Sequence, residues 1–259
     1  MTSRDRHVTL FHAPNSRSAG ALILLEELGA DYELHVLDLK KGEQREAPYL
    51  AVNPMGKVPA ILHDGALVTE QGAVYLYLAD LYPEAGLTPA IGDPLRGPFL
   101  RWLFFYGSSF EPAIVDQAMK REAAAQATSP YGTWLSMLST LTGQLERGPY
   151  LFGDRFTAAD VLWGTALRWT TMFKLVPESA AVTVSSGGPP AFEAGSLLAP
   201  HLAGNEIGSC LGRHDPGSLE GMKLLRQCAR LGSCEVGFDL GNAEGTSIAP
   251  FGRFDAVGC

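Results

Sequence analysis

Along the first 82 residues the apolar pattern changes period several times. Residues 8–11 form a short apolar run closed by His12, Ala13, Pro14 and Asn15, the length and boundary of a strand. Ala21, Leu22, Leu24, Leu25 and Leu28 then lie on one helical stripe, with Ser16 or Ser18 as cap and Gly29 as the C-terminal stop. Residues 32–37 alternate until Asp38, which predicts strand, helix, strand and a right-handed parallel crossover. Residues 40–47 are charged and read as a loop or short helix.

Val58, Ala60, Ile61 and Leu62 read as a buried strand, yet Pro59 stands among them with no N–H to give a ladder. That confines it to a sheet edge, a strand start or a bulge. The main chain of Val58 is then available to pair with an extended peptide, a recognition mode whose affinity comes from backbone hydrogen bonds. The Asp64-Gly65 pair signals a hairpin before residues 67–69, and a helix follows over about 70–82 with Val74, Leu76, Tyr77, Leu78 and Leu81 as apolar positions. The order predicts a small mixed sheet carrying helices, a first domain over residues 1–82.

A Pro- and Gly-rich linker spans residues 83–93. Beyond it the period is helical throughout, over 99–110, 134–145 and 158–173, with Gly97, Pro98 and Pro112 limiting or kinking the first segment. An all-helical second domain over 94–179 is expected. Thr157 and Asp160, at N-cap and N3 spacing, form a capping device and not a catalytic pair. From about residue 180 the text changes: 14 of the 29 glycines and all four cysteines fall in 180–259, and helical periodicity lapses outside 219–231. This composition predicts a poorly ordered third segment.

Composition narrows the function classes. A balance of 46% hydrophobic and 19% charged residues suits a globular chain, and a net charge of −8 argues against a nucleic-acid partner. No apolar run is long enough for a membrane span and the polar start has no signal-peptide core, so the expected compartment is the cytoplasm. Cys210, Cys228, Cys234 and Cys259 have neither redox-pair nor metal-site spacing, so no metal is expected. The first 209 residues hold no thiol, and thiol chemistry there needs a sulfur brought by the ligand.

Taken together, the run 53–61 (NPMGKVPAI), Thr69-Glu70-Gln71, residues 75–80 (YLYLAD) and residues 156–160 (FTAAD) resemble the cytosolic glutathione transferase superfamily, in order and spacing over about residues 8–178. The resemblance implies a thioredoxin-like N-terminal domain, an all-helical C-terminal domain and a homodimer. It also implies glutathione as co-substrate and attack of its thiol on a small hydrophobic electrophile; the competing reading is a non-catalytic ligand-binding or interaction module on the same fold. Position by position, Val58 would pair its main chain with the cysteinyl unit and Pro59 would be the cis proline. Glu70 and Gln71 would hold the γ-glutamyl end, with Gln71 where the family commonly has serine. Lys41 and Lys57 would meet the glycyl carboxylate. The catalytic position falls in the loop 14–18, with Ser16 first and Asn15 next, and Arg17 is expected to be solvated. Phe105, Tyr106 and Trp169 are candidates for the second-substrate pocket, although aromatic residues at helical spacing are more often core. The tail reads as a lineage-specific extension or as a shifted reading frame. The second is favoured, because Pro177, Glu178, Val182 and Thr183 still fit the family before the pattern dissolves.

Overall fold

Strand β1 (Val8–His12) sends alternate side chains to opposite faces of a sheet, and both faces are covered. Val8 and Leu10 join the main core with Ile61 of β3 (Ala60–His63), whereas Phe11 joins a smaller cluster with Leu37, Tyr49 and Ala60. The computed structural model describes residues 6–122, 124–179 and 182. Contacts divide the chain into two units, Met1–Leu202 and Ala203–Cys259, and every described residue lies in the first. The predicted tail, Val182 apart, lies outside the described residues, and so does the choice between its two origins.

The remaining strands are β2 (Tyr32–Val36) and β4 (Ala66–Val68), and the sheet order is β2-β1-β3-β4. β2 is parallel to β1, while β3 is antiparallel to β1 and β4 to β3. Helix α1 (Ser18–Leu28) ends at Gly29, whose φ of 60° is the left-handed conformation that closes helices. A single 3-10 turn (Glu43–Arg45) and α2 (Ala47–Leu50) connect β2 to β3. Asp64 and Gly65 both have positive φ, 48° and 77°, which makes the predicted two-residue hairpin turn. Helix α3 (Gln71–Leu81) then packs against α1.

Of the three places that the sequence allowed Pro59, the structure selects the strand start: β3 is an interior strand, and its pairing to β1 begins at Phe11 with Ala60. Two other readings change. Neither Ser16 nor Ser18 occupies the cap position of α1, which belongs to Arg17; the Ser16 hydroxyl still accepts the Ser18 N–H at 3.2 Å. The helical half also holds a helix beyond Pro112 that the sequence pattern did not predict. α4 (Arg96–Phe105) runs through a π turn (Tyr106–Phe110) directly into α5 (Glu111–Met119). Pro112 sits in the first turn of α5, where its missing N–H costs little, and the wider turn precedes it.

Helices α6 (Trp134–Leu145) and α7 (Ala158–Met172) complete the described helical half. At its centre Trp102 and Trp163 are fully buried and meet edge to face at 5.6 Å, and the Trp163 indole N–H donates to the Trp102 carbonyl at 3.2 Å. Both polar and apolar demands of the Trp163 ring are therefore met. The Asp160 carboxylate accepts the N–H and hydroxyl of Thr157, each at 2.8 Å, and the Leu151 N–H at 2.7 Å. The device predicted at the start of α7 thus also anchors the preceding turn.

The two halves are joined closely. α1 and α3 pack on α7, and α3 on α4. Gly72 permits the last contact: a Cβ there would lie 2.9 Å from the Leu103 carbonyl oxygen. Arg96 ties the linker down, donating to both Asp80 oxygens at 2.7 Å, to Thr88 Oγ1 at 2.8 Å and to the Pro89 carbonyl at 2.9 Å. Burial raises the Asp80 pKa, but the hydrogen bonds from Arg96 and Thr88 outweigh it and the net shift is downward.

Two outcomes are expected. Gly72→Ala loses roughly 1–3 kcal/mol in denaturant unfolding, since a backbone oxygen has to give way. The Asp80 contribution is present above the usual carboxylate range and disappears as pH falls through its depressed folded value. The wild type is accordingly more stable than Asp80→Asn at neutral pH by about 1 kcal/mol or less, given the partial exposure, and the gap closes on acidification below about pH 4.

Candidate functional site

Pairing in the sheet brings the sequence-predicted residues to one end. The parallel partner of His12 is Val36, so the turn carrying Lys41 leaves the sheet beside the loop that follows β1. The antiparallel partner of Phe11 is Ala60, so Val58 approaches from the same end. α3 arrives there too: Gln71 Nε2 donates to the Arg17 carbonyl at 3.4 Å.

The approach to β3 is built in detail. Asn53 is buried; its Nδ2 donates to the Lys57 carbonyl at 2.9 Å, and the Tyr49 hydroxyl donates to the same oxygen at 2.5 Å. Asn53 Oδ1 also accepts the Met55 N–H at 3.1 Å, shaping the turn. Gly56, with φ 60°, is where the chain passes closest to the 3-10 turn, since a Cβ would stand 2.7 Å from the Gln44 carbonyl oxygen. The Val58–Pro59 peptide is cis. Val58 is half-buried and lies ahead of the first paired residue of β3, outside the ladder. Lys57 is exposed; the Lys41 side chain is exposed as well and lies 3.4 Å from Asp38.

Among the described residues, five other than glycine have positive φ: Asn15, Asp64, Glu70, Lys120 and Lys174. Asp64 makes the hairpin turn and Lys120 closes α5, so local structure accounts for both. Asn15 (57°) and Glu70 (63°) both belong to the predicted site. Asn tolerates that conformation; for Glu it stores backbone strain of about 1–3 kcal/mol. Glu70 is the exposed cap residue of α3, and its ψ of 118° places it outside the helical region. The strain sits at a helix start whose first N–H groups are not used within the helix.

The loop after β1 is a hydroxyl network. The Ser16 hydroxyl donates to the Ala13 carbonyl at 2.7 Å and lies 2.7 Å from the Ser18 hydroxyl. Ser18 is fully buried; its oxygen accepts the Ala13 N–H at 3.0 Å and stands 2.9 Å from Nδ1 of buried His12. The proton of Ser16 is thus directed inward, whereas Asn15 is exposed at the start of α1. His12 and Ser18 were not legible as site residues, because a strand end and a helix start each explain them in sequence.

Arg17 departs from its expectation. It is half-buried and not solvated: Nε and Nη2 donate to the two carboxylate oxygens of Glu111 at 2.8 and 2.6 Å, and the guanidinium lies 5.1 Å from the Trp169 ring centroid. Tyr106 donates its hydroxyl to the same carboxylate. Burial, and then the Glu111 charge, hold the Tyr106 phenol well above its ordinary range, so it stays a donor. The three aromatic residues predicted for a second pocket separate. Tyr106 is buried against Trp163 and Phe110, and Phe105 packs on Trp102 and Trp163. Trp169 is half-buried, with Phe173 at its edge. Glu111 was missed in sequence because no helix was expected to carry it.

Among the described residues no group of three His, Cys, Asp or Glu side chains could hold a metal ion, and no helix is long and apolar enough to cross a membrane.

Residues 6–80 match the model of the glutathione S-transferase N-terminal domain, and residues 131–189 that of the C-terminal domain. Glutathione S-transferase GstA of Escherichia coli O157:H7 is 32% identical over 168 residues, which are 64% of this chain and 84% of that protein. A crystallised glutathione transferase from Methylococcus capsulatus superposes with a TM-score of 0.60 at 32% identity, covering 73% of this chain and 99% of its own. A transferase homologue from Sulfitobacter, solved with bound glutathione, also gives 0.60, at 27% identity over 75% of this chain and 99% of its own.

Replacement of Glu70 by Gly is expected to leave the melting temperature unchanged or higher. Relief of about 1–3 kcal/mol of strain offsets the roughly 0.5–1 kcal/mol entropic cost of glycine. A fall in melting temperature would show that the side chain of Glu70 stabilises the fold and that its conformation is not a concession to binding.

Proposed function

Because the chain belongs to the cytosolic glutathione transferase superfamily, we propose that it binds glutathione at the end of the sheet where β1 stops and β3 begins. There it activates the tripeptide's thiol for attack on a small hydrophobic electrophile, in conjugation or a related glutathione-dependent reaction. The observation that carries this reading is the meeting of an unpaired strand entry at Val58, a strained acidic cap at Glu70 and the start of α1 at one point. Each answers a different part of the ligand.

Val58 offers its main chain to the cysteinyl unit, and Pro59 fixes the direction from which the strand enters. Glu70 suits the ammonium of the γ-glutamyl group, and the spare N–H groups at the start of α3 suit its carboxylate, with Gln71 adding an amide. Lys41 and Lys57, both exposed on this end, serve the glycyl carboxylate. No cysteine of the first 209 residues competes.

A thiol of pKa about 8.5 is only slightly ionised at neutral pH, and the thiolate is the nucleophile. Lowering the pKa by about two units requires roughly 2.7 kcal/mol of preference for the anion. A hydrogen bond to a charged acceptor gives about 1.5–3 kcal/mol and a helix start about 0.3–1, so one side-chain donor plus α1 suffices. Asn15 is the better donor, because the Ser16 proton is directed to the Ala13 carbonyl. Ser16 then shapes the loop. That inward proton is also the observation favouring the alternative, a binding module without turnover. Trp169 and exposed Phe173 offer apolar surface for the second substrate, and the protein acts in the cytoplasm as a homodimer.

Retention on immobilised glutathione tests the first half of the reading, and ultraviolet titration of the bound thiolate tests the second. Wild type is expected to be retained with a thiol pKa near 6.5, which Asn15→Ala raises by roughly one to two units and Ser16→Ala by less. Retention with an unshifted thiol would select the non-catalytic module, and no retention would overturn the glutathione-dependent reading in favour of a module that binds something else.

A further inference from the structure

The ion pair between Arg17 and Glu111 joins the first loop of the sheet domain to the helical half, and its geometry is more specific than a surface contact. Arg17 is the cap residue of α1, so its main chain lies between Asn15 and the first N–H groups of that helix. Its carbonyl accepts the Gln71 amide, which links the same residue to the start of α3. Its side chain runs to α5 and α7 together: two parallel hydrogen bonds to Glu111 and a guanidinium face on Trp169. Only 26% of the Arg17 side chain and 16% of the Glu111 side chain are exposed, so water competes weakly for either. Glu111 is fixed in turn, by the Tyr106 hydroxyl and by the π turn that ends at Phe110, immediately before it.

We infer that Glu111 is a positioning residue for the thiol-binding loop: through Arg17 it sets where Asn15 and the opening N–H groups of α1 stand relative to the bound sulfur. The inference rests on the thiol-activating role given to that loop above. The pair is formally neutral, so its effect on the sulfur is one of placement and not of net charge. Bidentate pairing suits this, since two parallel bonds fix orientation as well as distance.

Charge and placement predict opposite signs, which makes the inference testable. Glu111→Gln keeps one acceptor and most of the volume but removes the Glu111 negative charge beside the guanidinium. If Glu111 acted by neutralising Arg17, the bound thiol would become more acidic in the variant. If it positions the loop, the thiol becomes less acidic by roughly half a unit or more, kcat falls about tenfold and the KM for glutathione moves less than about twofold. Tyr106→Phe, which spares the ion pair, moves each quantity in the same direction by less. It also serves as the test should Glu111→Gln fail to fold.

Amide hydrogen exchange on the ligand-free protein supplies a reading independent of glutathione. Glu111→Gln is expected to lose protection across residues 13–20, with that of β1, β3 and α6 unchanged. Unchanged protection in 13–20 overturns the inference, and so does a thiol that becomes more acidic or does not shift. A wild type that fails to bind glutathione, with protection still lost in the variant, refutes the proposed function and with it the role of Glu111 toward the sulfur, leaving the mechanical coupling between the halves established.

Discussion

The antiparallel pairing of β1 with β3 is the constraint on which the candidate site depends. It brings the C-terminal end of one strand to the N-terminal end of the other, so the loop after His12 and the turn before Ala60 must open at the same place. Parallel pairing of β2 adds its own exit to that end. A sheet with β3 reversed would keep the same core residues and scatter the site. The inward side chains, Val8, Leu10 and Ile61 on one face and Phe11 and Ala60 on the other, therefore secure the fold and the convergence at once.

Much of this was legible in the chain because single residues carry the information. Gly29 stops α1, Asp64 and Gly65 turn the hairpin, and Thr157 with Asp160 opens α7; each is a local rule with a local cause. Pro59 was informative by exclusion, although the exclusion left three possibilities and the sheet order was needed to choose the strand start. The failures share another character. Pro112 was read only as limiting or kinking the segment before it, because its place in a first turn becomes visible only once α4 is known to continue through a π turn. With α5 unseen, Glu111 had no assigned position, and Arg17 had no partner to be drawn out of water. Contacts across 94 residues of chain leave no periodic trace.

The helical half does more than cover the sheet. Its aromatic centre, Trp102, Phe105, Tyr106, Phe110 and Trp163, is a set of rings meeting at 5.0–6.3 Å, and the groups facing the sheet domain are mounted on it. Tyr106 belongs to both, with its ring in the cluster and its hydroxyl on Glu111. Two of the three aromatic residues that sequence suggests as pocket lining, Phe105 and Tyr106, thus belong to this cluster, and Tyr106 hydrogen-bonds the Glu111 carboxylate that holds Arg17. Rigidity of that mount matters because a donor misplaced by about 1 Å forfeits much of its effect on a developing charge.

The lack of any cysteine in the first 209 residues has a chemical consequence of its own. On the proposed function, a thiolate held at the end of β1 would meet no cysteine of residues 1–209 with which to exchange, so no disulfide to those residues could capture it. Peroxide reaching the same place would then oxidise the bound thiolate and no cysteine of those residues, and a fresh molecule from solution would replace what was lost.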